Sequence, residues 1–232
     1  MNPLPLVLLP GMMCDARLFT PQIAVLGNAR TLHFPTLSGA ATIKGLARQI
    51  LANAPPRFSL AGLSMGGIIA MEMMAQEPER IARLALLDTN PCAELPEIRA
   101  RRCAQIDRVR AGALIEVISN EMKPNYLADR SNSQAILDLC MQMALDLGPD
   151  IFVIQSRALR DRRDRRETLR KIRVPTLILC GRKDRLCPVA RHELMHGLIP
   201  GASLEVIEEA GHLPVLEQPQ LTNEALSRWI RL

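Results

Sequence analysis

Apolar and polar positions along this 232-residue chain alternate between two periodicities. Short, mainly apolar runs at Leu4–Leu9, Phe58–Ala61, Leu84–Leu87 and Thr176–Cys180 read as strands, with Thr31–Phe34 a weaker one and Ala202–Ile207 another in which Ser203 and Glu205 alternate with apolar residues. The first four have the pattern of strands buried on both faces. Between them the period lengthens. Thr42 precedes Ile43, Leu46, Ala47, Ile50, Leu51 and Ala54, a helical stripe with a threonine cap, and Pro55-Pro56 closes it. Ile68–Ala75 predicts a helix rich in Met and Ala, and Gln218–Ile230 a terminal one. Strand and helix in repetition predict an α/β class, a mostly parallel sheet with helices on both faces. The stretch 91–173 breaks the rhythm with helical patterns and no strand. The expected organisation is a single domain over 1–232, with a core of 1–90 and 174–232 and a helical cap inserted at 91–173.

Composition narrows the function classes. Aromatics make up 3% of the chain while Met reaches 11, so an apolar pocket is expected to be lined by Leu, Ile and Met. Stacking platforms for nucleic acid are not expected. The net charge of +5 is matched by one stretch, Gln155–Lys171, with eight basic and three acidic residues. Because the acids are interleaved, the stretch reads as a solvated helix face supported by Asp161–Arg165 at i,i+4 rather than as an anion site. The six cysteines form no C-x-x-C, and Cys180 and Cys187 read as packing residues. The opening "MNPLPLVLLPG" has no basic n-region and no small-residue cleavage site, and no stretch approaches the ~20 apolar residues of a membrane span. A cytoplasmic protein with free thiols, bound neither to membrane nor to nucleic acid, is the expectation.

Two motifs then compete. "HELMH", His192 to His196, matches the H-E-x-x-H of zinc peptidases. It lies on a short helix bounded by Pro188 and Pro200, the third histidine of the extended pattern is replaced by Ala202, and Glu217 follows the His212 loop instead of a facing helix. We read it as a chance match on a surface helix. "SLAGLSMGGIIAMEMM" has G-x-S-x-G between a strand and a helix, the setting in which that motif carries chemistry. Ser64 would sit on a strained turn where Gly62 and Gly66 let strand and helix approach, above a helix N-terminus whose N–H groups favour an anion. A serine nucleophile needs a base, and the base needs a carboxylate. The order Ser64, Asp184, His212 fits, each residue following a predicted strand. Taken singly, Asp184 could be a turn residue and His212 a loop histidine, while the flanking glycines weigh against Ser64 being an ordinary helix cap. Asp88, at the end of Leu84–Leu87, is the runner-up acid, and His33 reads as a structural strand-end residue.

"LVLLPGMMCDARLF", "LAGLSMGG", "VPTLILCGRKD" and "GHLPVLEQP" together resemble the α/β-hydrolase superfamily, in its small, lidded, esterase-like form. The resemblance covers essentially the whole chain. It implies Ser64 as nucleophile, Asp184 as acid, His212 as general base, and an oxyanion hole from the backbone N–H groups of Met12 and Met65. Where many members carry His-Gly in the first loop, this chain has Pro10-Gly11. The implied activity is cofactor-free and metal-free hydrolysis of a small-molecule ester or acyl bond. Carbon–carbon hydrolases, lyases and acyltransferases use the same triad, and a binding protein that kept the pocket without turnover is the reading from another class. Oligomeric state is not written in the sequence.

Overall fold

The computed structural model describes residues 3–128 and 133–231; residues 129–132, within the expected cap, and the chain's first two and last residues lie outside it. The apolar runs become β1 (Leu6–Leu9), β2 (Leu32–His33), β3 (Phe58–Leu63), β4 (Ile81–Leu87), β5 (Thr176–Gly181) and β6 (Ser203–Ile207). They form one parallel sheet in the order β2-β1-β3-β4-β5-β6. Successive strand residues serve opposite faces. Val7, Leu9, Leu60, Leu84, Leu86 and Ile178 join one apolar cluster, and Leu6, Leu8, Leu63, Leu87, Leu177 and Leu179 join the other. The first face is covered by α2 (Ile43–Asn53) and α3 (Met65–Gln76), and the second by α1 (Thr20–Leu26).

Thr42 caps α2 as expected, its hydroxyl accepting the Gly45 N–H at 3.0 Å. The helix α1 was not legible in the pattern, since it shows only Ile23, Val25 and Leu26 as large apolar residues and buries only Gln22 and Leu26. Between β4 and β5 the described chain is entirely helical or irregular: α4 (Pro96–Arg110), α5 (Leu114–Val117), α6 (Gln134–Arg160, broken at Gly148-Pro149) and α7 (Arg166–Leu169). After β5 come α8 (Val189–Leu198), then β6, α9 (Pro214–Glu217) and α10 (Pro219–Trp229). No helix among the described residues is long and apolar enough to cross a membrane.

The chain starts in the middle of the sheet and runs outward on either side, so its direction reverses between β1 and β3. Crevices open at such a reversal, at the carboxyl ends of the strands. The loops after β1, β3, β4, β5 and β6 carry Gly11, Ser64, Asp88, Asp184 and His212 respectively.

The basic stretch 155–171 departs from the expected solvated face. The helix ends at Arg160, so Asp161 and Arg165 are not one turn apart on a helix, and their pair does not form. Asp161 instead meets Arg160 and Arg99. Arg165 reaches the buried Glu72 on α3, and Arg162 reaches the buried Glu94 at 2.6 Å. Removing one partner of a largely buried ion pair strands the other charge. Arg165→Ala should therefore lower unfolding free energy by about 3 kcal/mol, whereas exposed Arg163→Ala should change it by less than about 0.5 kcal/mol. Equal, small losses in urea titrations would return the whole stretch to the surface.

Candidate active site

The turn after β3 places Ser64 at φ 54° and ψ −113°, a backbone state that L-residues rarely adopt. Neighbouring contacts force it. A Cβ at Gly62 would overlap the Gly66 carbonyl oxygen, and one at Gly66 would overlap the carbonyl oxygen of Leu9 on β1. Ser64 occupies the position of a helix cap but makes no capping bond. Its Oγ lies 2.9 Å from His212 Nε2 instead.

His212 Nδ1 lies 2.8 Å from Asp184 Oδ2. Burial pushes the Asp184 carboxyl up, but the facing His212 charge, its hydrogen bond and the N–H groups of Cys187 and Leu186 outweigh burial and hold it at about 2. An ionised Asp184 accepts only, so Nδ1 carries the proton and Nε2 is left as an acceptor for the Ser64 hydroxyl. The turn reading of Asp184 also holds. Its Oδ1 accepts Leu186 N–H at 2.8 Å and Cys187 N–H at 3.0 Å while Oδ2 serves the histidine.

Asp88 sits behind this pair and does not touch His212 among the described contacts. Its Oδ1 accepts Gly181 N–H at 2.9 Å, and its Oδ2 finds no partner. Burial, then repulsion from Asp184, push its acid well above the ordinary carboxylate range. The sheet thus brings Ser64, His212 and Asp184 into one chain of hydrogen bonds, with the Asp88 carboxyl facing Asp184 and not the imidazole.

His192 is buried, contrary to the expected surface helix. Its Nε2 accepts Thr89 N–H at 3.0 Å, and burial lowers it to about 4, so it is neutral and already engaged. His196 is exposed one turn along. The two histidines therefore serve different environments. The described side chains with metal-ligand spacing are Asp184, Cys187 and His212, whose ligand atoms lie within 4.8 Å of one another. A cation there would have to displace the Asp184–His212 bond, and burial holds the Cys187 thiol well up, in its poorly ligating form. His33 is half-buried at the end of β2, as expected for a structural residue.

Met12 and Met65 both line the cleft above Ser64. Met65 N–H is in the first turn of α3, where helix geometry supplies no acceptor. Met12 belongs to a turn closed by Cys14 N–H to Gly11 O at 3.2 Å. In that turn Met13 takes φ 56° and gives its N–H to Gln155 Oε1 at 2.8 Å. The cleft holds about 720 Å³ and is bounded partly by the segment between β4 and β5.

Three supporting residues were missed by sequence reasoning. Thr89 Oγ1 donates to Ser64 O at 2.7 Å and fills the space left by the absent side chain of Gly67. Glu217 Oε1 accepts the N–H groups of Gly211 and Leu213 at 2.9 and 3.0 Å, on either side of His212, while Oε2 accepts Ala128 N–H at 2.7 Å. Buried Gln155 bridges Met13 and Leu37 O. Thr89 and Glu217 stand next to motif residues, so proximity was a usable signal; Gln155 is 142 positions from its partner and left none.

A model described as "Alpha/beta hydrolase family" matches residues 6–225. The chain is similar to a pimeloyl-[acyl-carrier protein] methyl ester esterase of Salmonella newport, at 26% identity over 95% of this chain and 91% of that one. Among solved structures it is similar to a thermophilic esterase from Thermogutta terrifontis, malate bound, with TM-score 0.90 and 27% identity over 99% of this chain and 90% of that one. The enol-lactonase of Burkholderia xenovorans LB400 shares the fold, with TM-score 0.89 and 20% identity over 100% and 93%.

The two neighbouring acids titrate with opposite sign. Asp184, with its folded pKa below the unfolded value, stabilises the protein above about pH 4 and loses that contribution as pH falls toward 2. Asp88, with its folded pKa raised, contributes below about pH 4 and destabilises increasingly as pH rises through its folded value. Asp88→Asn should therefore gain on the parent in urea unfolding as pH rises from 4.5 to 7 (about the working window for such titrations), and Asp184→Asn should stay below the parent throughout. An Asp88→Asn protein that falls steadily behind as pH rises would show that Asp88 is ionised.

Proposed function

We propose that this chain, which belongs to the alpha/beta hydrolase family, is a serine hydrolase of carboxylic esters that works through an acyl-enzyme. The observation that carries this reading is the unbroken relay Asp184–His212–Ser64, with bonds of 2.8 and 2.9 Å, opening into the cleft. The ester class is further supported by the activity named for the similar Salmonella and Thermogutta proteins.

In this reading Ser64 Oγ attacks the acyl carbon as its proton passes to His212 Nε2. Asp184 holds the imidazole by Nδ1–H and stabilises the imidazolium. The N–H groups of Met65 and Met12 receive the negative oxygen of the tetrahedral intermediate; such a donor is worth ~3–4 kcal/mol in a water-poor site. His212 returns the proton to the departing alcohol. A water then gives a proton to His212 as it attacks the acyl carbon, and as the acyl–Oγ bond breaks His212 passes that proton to Ser64 Oγ, which releases the acid and restores the enzyme. No step calls on a metal or an organic cofactor. The helical stretch 91–173 acts as the cap that bounds the acyl pocket, over a core of 1–90 and 174–232. The six cysteines carry free thiols, which supports a reducing, cytoplasmic setting.

A panel of p-nitrophenyl esters tests the reading. An initial burst, with one p-nitrophenol per chain, is expected before steady turnover. Ser64→Ala should lose at least ~10⁴-fold in kcat, and Asp184→Asn about 10³–10⁴-fold. Asp88→Asn should remain within about tenfold of the parent, since it does not hold the imidazole. A Ser64→Ala protein within tenfold of the parent would remove the nucleophile assignment. A crippled Asp88→Asn beside an active Asp184→Asn would overturn the choice of acid.

A further inference from the structure

The cleft that contains Ser64 and His212 is also lined by six arginines: Arg101, Arg102, Arg162, Arg166, Arg185 and Arg191. Its lining carries three carboxylates, and each is already engaged. Glu94 receives Arg102 in a bidentate pair at 2.7 and 2.8 Å, and the same carboxylate also receives Arg162. Asp164 pairs with Arg166, and Glu121 with Arg108 and Gln105. The acid of the relay faces His212. Arg101, Arg185 and Arg191 are left without a carboxylate among the described residues. They come from separate parts of the chain, α4, the loop after Asp184 and α8, and face one cavity. Arg191 is half-buried, and the only described hydrogen-bond contact of its guanidinium is the Cys92 sulfur at 3.6 Å. The rest of the wall is mixed, with an apolar strip of Met65, Ile68, Met122 and Leu159 beside the uncharged polar Asn90, Gln105 and Asn125.

Arg101 and Arg185 are exposed at the mouth of the cleft and Arg191 is half-buried, so uncompensated positive charge lies beside an apolar strip, which suits one kind of ligand. Low-dielectric walls focus the field of like charges and raise the local concentration of the opposite ion. We propose that the substrate is an ester that carries a fixed negative charge away from the scissile carbonyl, with Arg101, Arg185 and Arg191 as the anion subsite and the apolar strip receiving the intervening chain. This rests on the esterase reading and narrows its substrate class. The charge can sit on the acyl chain or on the alcohol, and two matched pairs of esters separate the cases.

The first pair is p-nitrophenyl hydrogen adipate against p-nitrophenyl hexanoate. The second is p-carboxyphenyl hexanoate against p-carbamoylphenyl hexanoate. Within each pair the ratio of kcat/KM, anionic over neutral, should be about tenfold or more in one of the two, and should shrink toward one as salt rises and screens the subsite. In the triple variant Arg101→Gln/Arg185→Gln/Arg191→Gln the favoured ratio should fall to about one; comparing two esters on the same protein cancels any loss of folded material. Turnover of neutral esters with ratios near one in both pairs would overturn the anion subsite and leave the esterase reading standing. A tenfold ratio that survives in the triple variant would overturn its assignment to these arginines. Failure to hydrolyse any of the four esters would sink the esterase reading itself.

Discussion

The close approach of α3 to the end of β1 sets the rest of the site. Gly66 faces the Leu9 carbonyl with no room for a side chain, and Gly62 faces Gly66 in the same way. A helix pressed that near two strands leaves the connecting residue one course, and Ser64 takes it at φ 54°. Such a conformation stores about 1–3 kcal/mol and persists only where surrounding bonds enforce it. They do so from both ends. Ser64 N–H donates to Leu87 O at 2.9 Å at the end of β4, and Ser64 O receives Thr89 Oγ1 at 2.7 Å from the loop that follows. With its backbone satisfied in this way, the hydroxyl is free for His212.

The same economy governs charge. Asp88, Asp184 and Glu217 are carboxyls packed around one loop, and three full negative charges there would repel one another strongly. Their partners sort them. Asp184 has the imidazole and two N–H groups and stays ionised. Asp88 has one N–H and a deep burial, and its acid is pushed up. Glu217 is raised by burial and pulled back by three backbone donors, so its role is to bind N–H groups around His212 rather than to face the ring. Three acids with the same functional group thus take different roles according to what surrounds each of them.

Much of the sheet and of the relay was legible because both depend on local signals. Buried parallel strands are short apolar runs, and a strained serine between glycines has few other uses in a strand–helix setting. Asp184 and His212 follow strands that the pattern marks clearly, so their convergence follows from a parallel sheet. What was not legible depends on partners far away. His192 looked exposed because nothing in "HELMH" tells that Thr89 N–H, over a hundred positions earlier, occupies its Nε2. Arg162 and Arg165 looked like a solvated run because their acids, Glu94 and Glu72, belong to other elements. Helix α1 escaped because it buries a glutamine, Gln22, bonded to Val215 O at 3.1 Å and to Asn223, where a periodicity search expects an apolar residue.

Those distant partners also change how the segment between β4 and β5 relates to the site. His212 N–H donates to Tyr126 O at 2.7 Å, Glu217 reaches Ala128 N–H, and Gln155 receives Met13 N–H in the loop beside Met12. A side chain at Gly211 would collide with the backbone at 126–128, so the histidine loop and this segment are packed backbone to backbone. The sheet therefore presents Ser64, Asp184 and His212, but the groups that hold His212 and the turn beside Met12, the non-helical backbone at 126–128 and the Gln155 side chain, come from the segment between β4 and β5. A segment that only covered the cleft would leave the relay unchanged if it moved. Here a displacement of 126–128 would remove the His212 and Glu217 hydrogen bonds together. The position of the backbone at 126–128 is thus coupled to the geometry of the His212 loop by these hydrogen bonds.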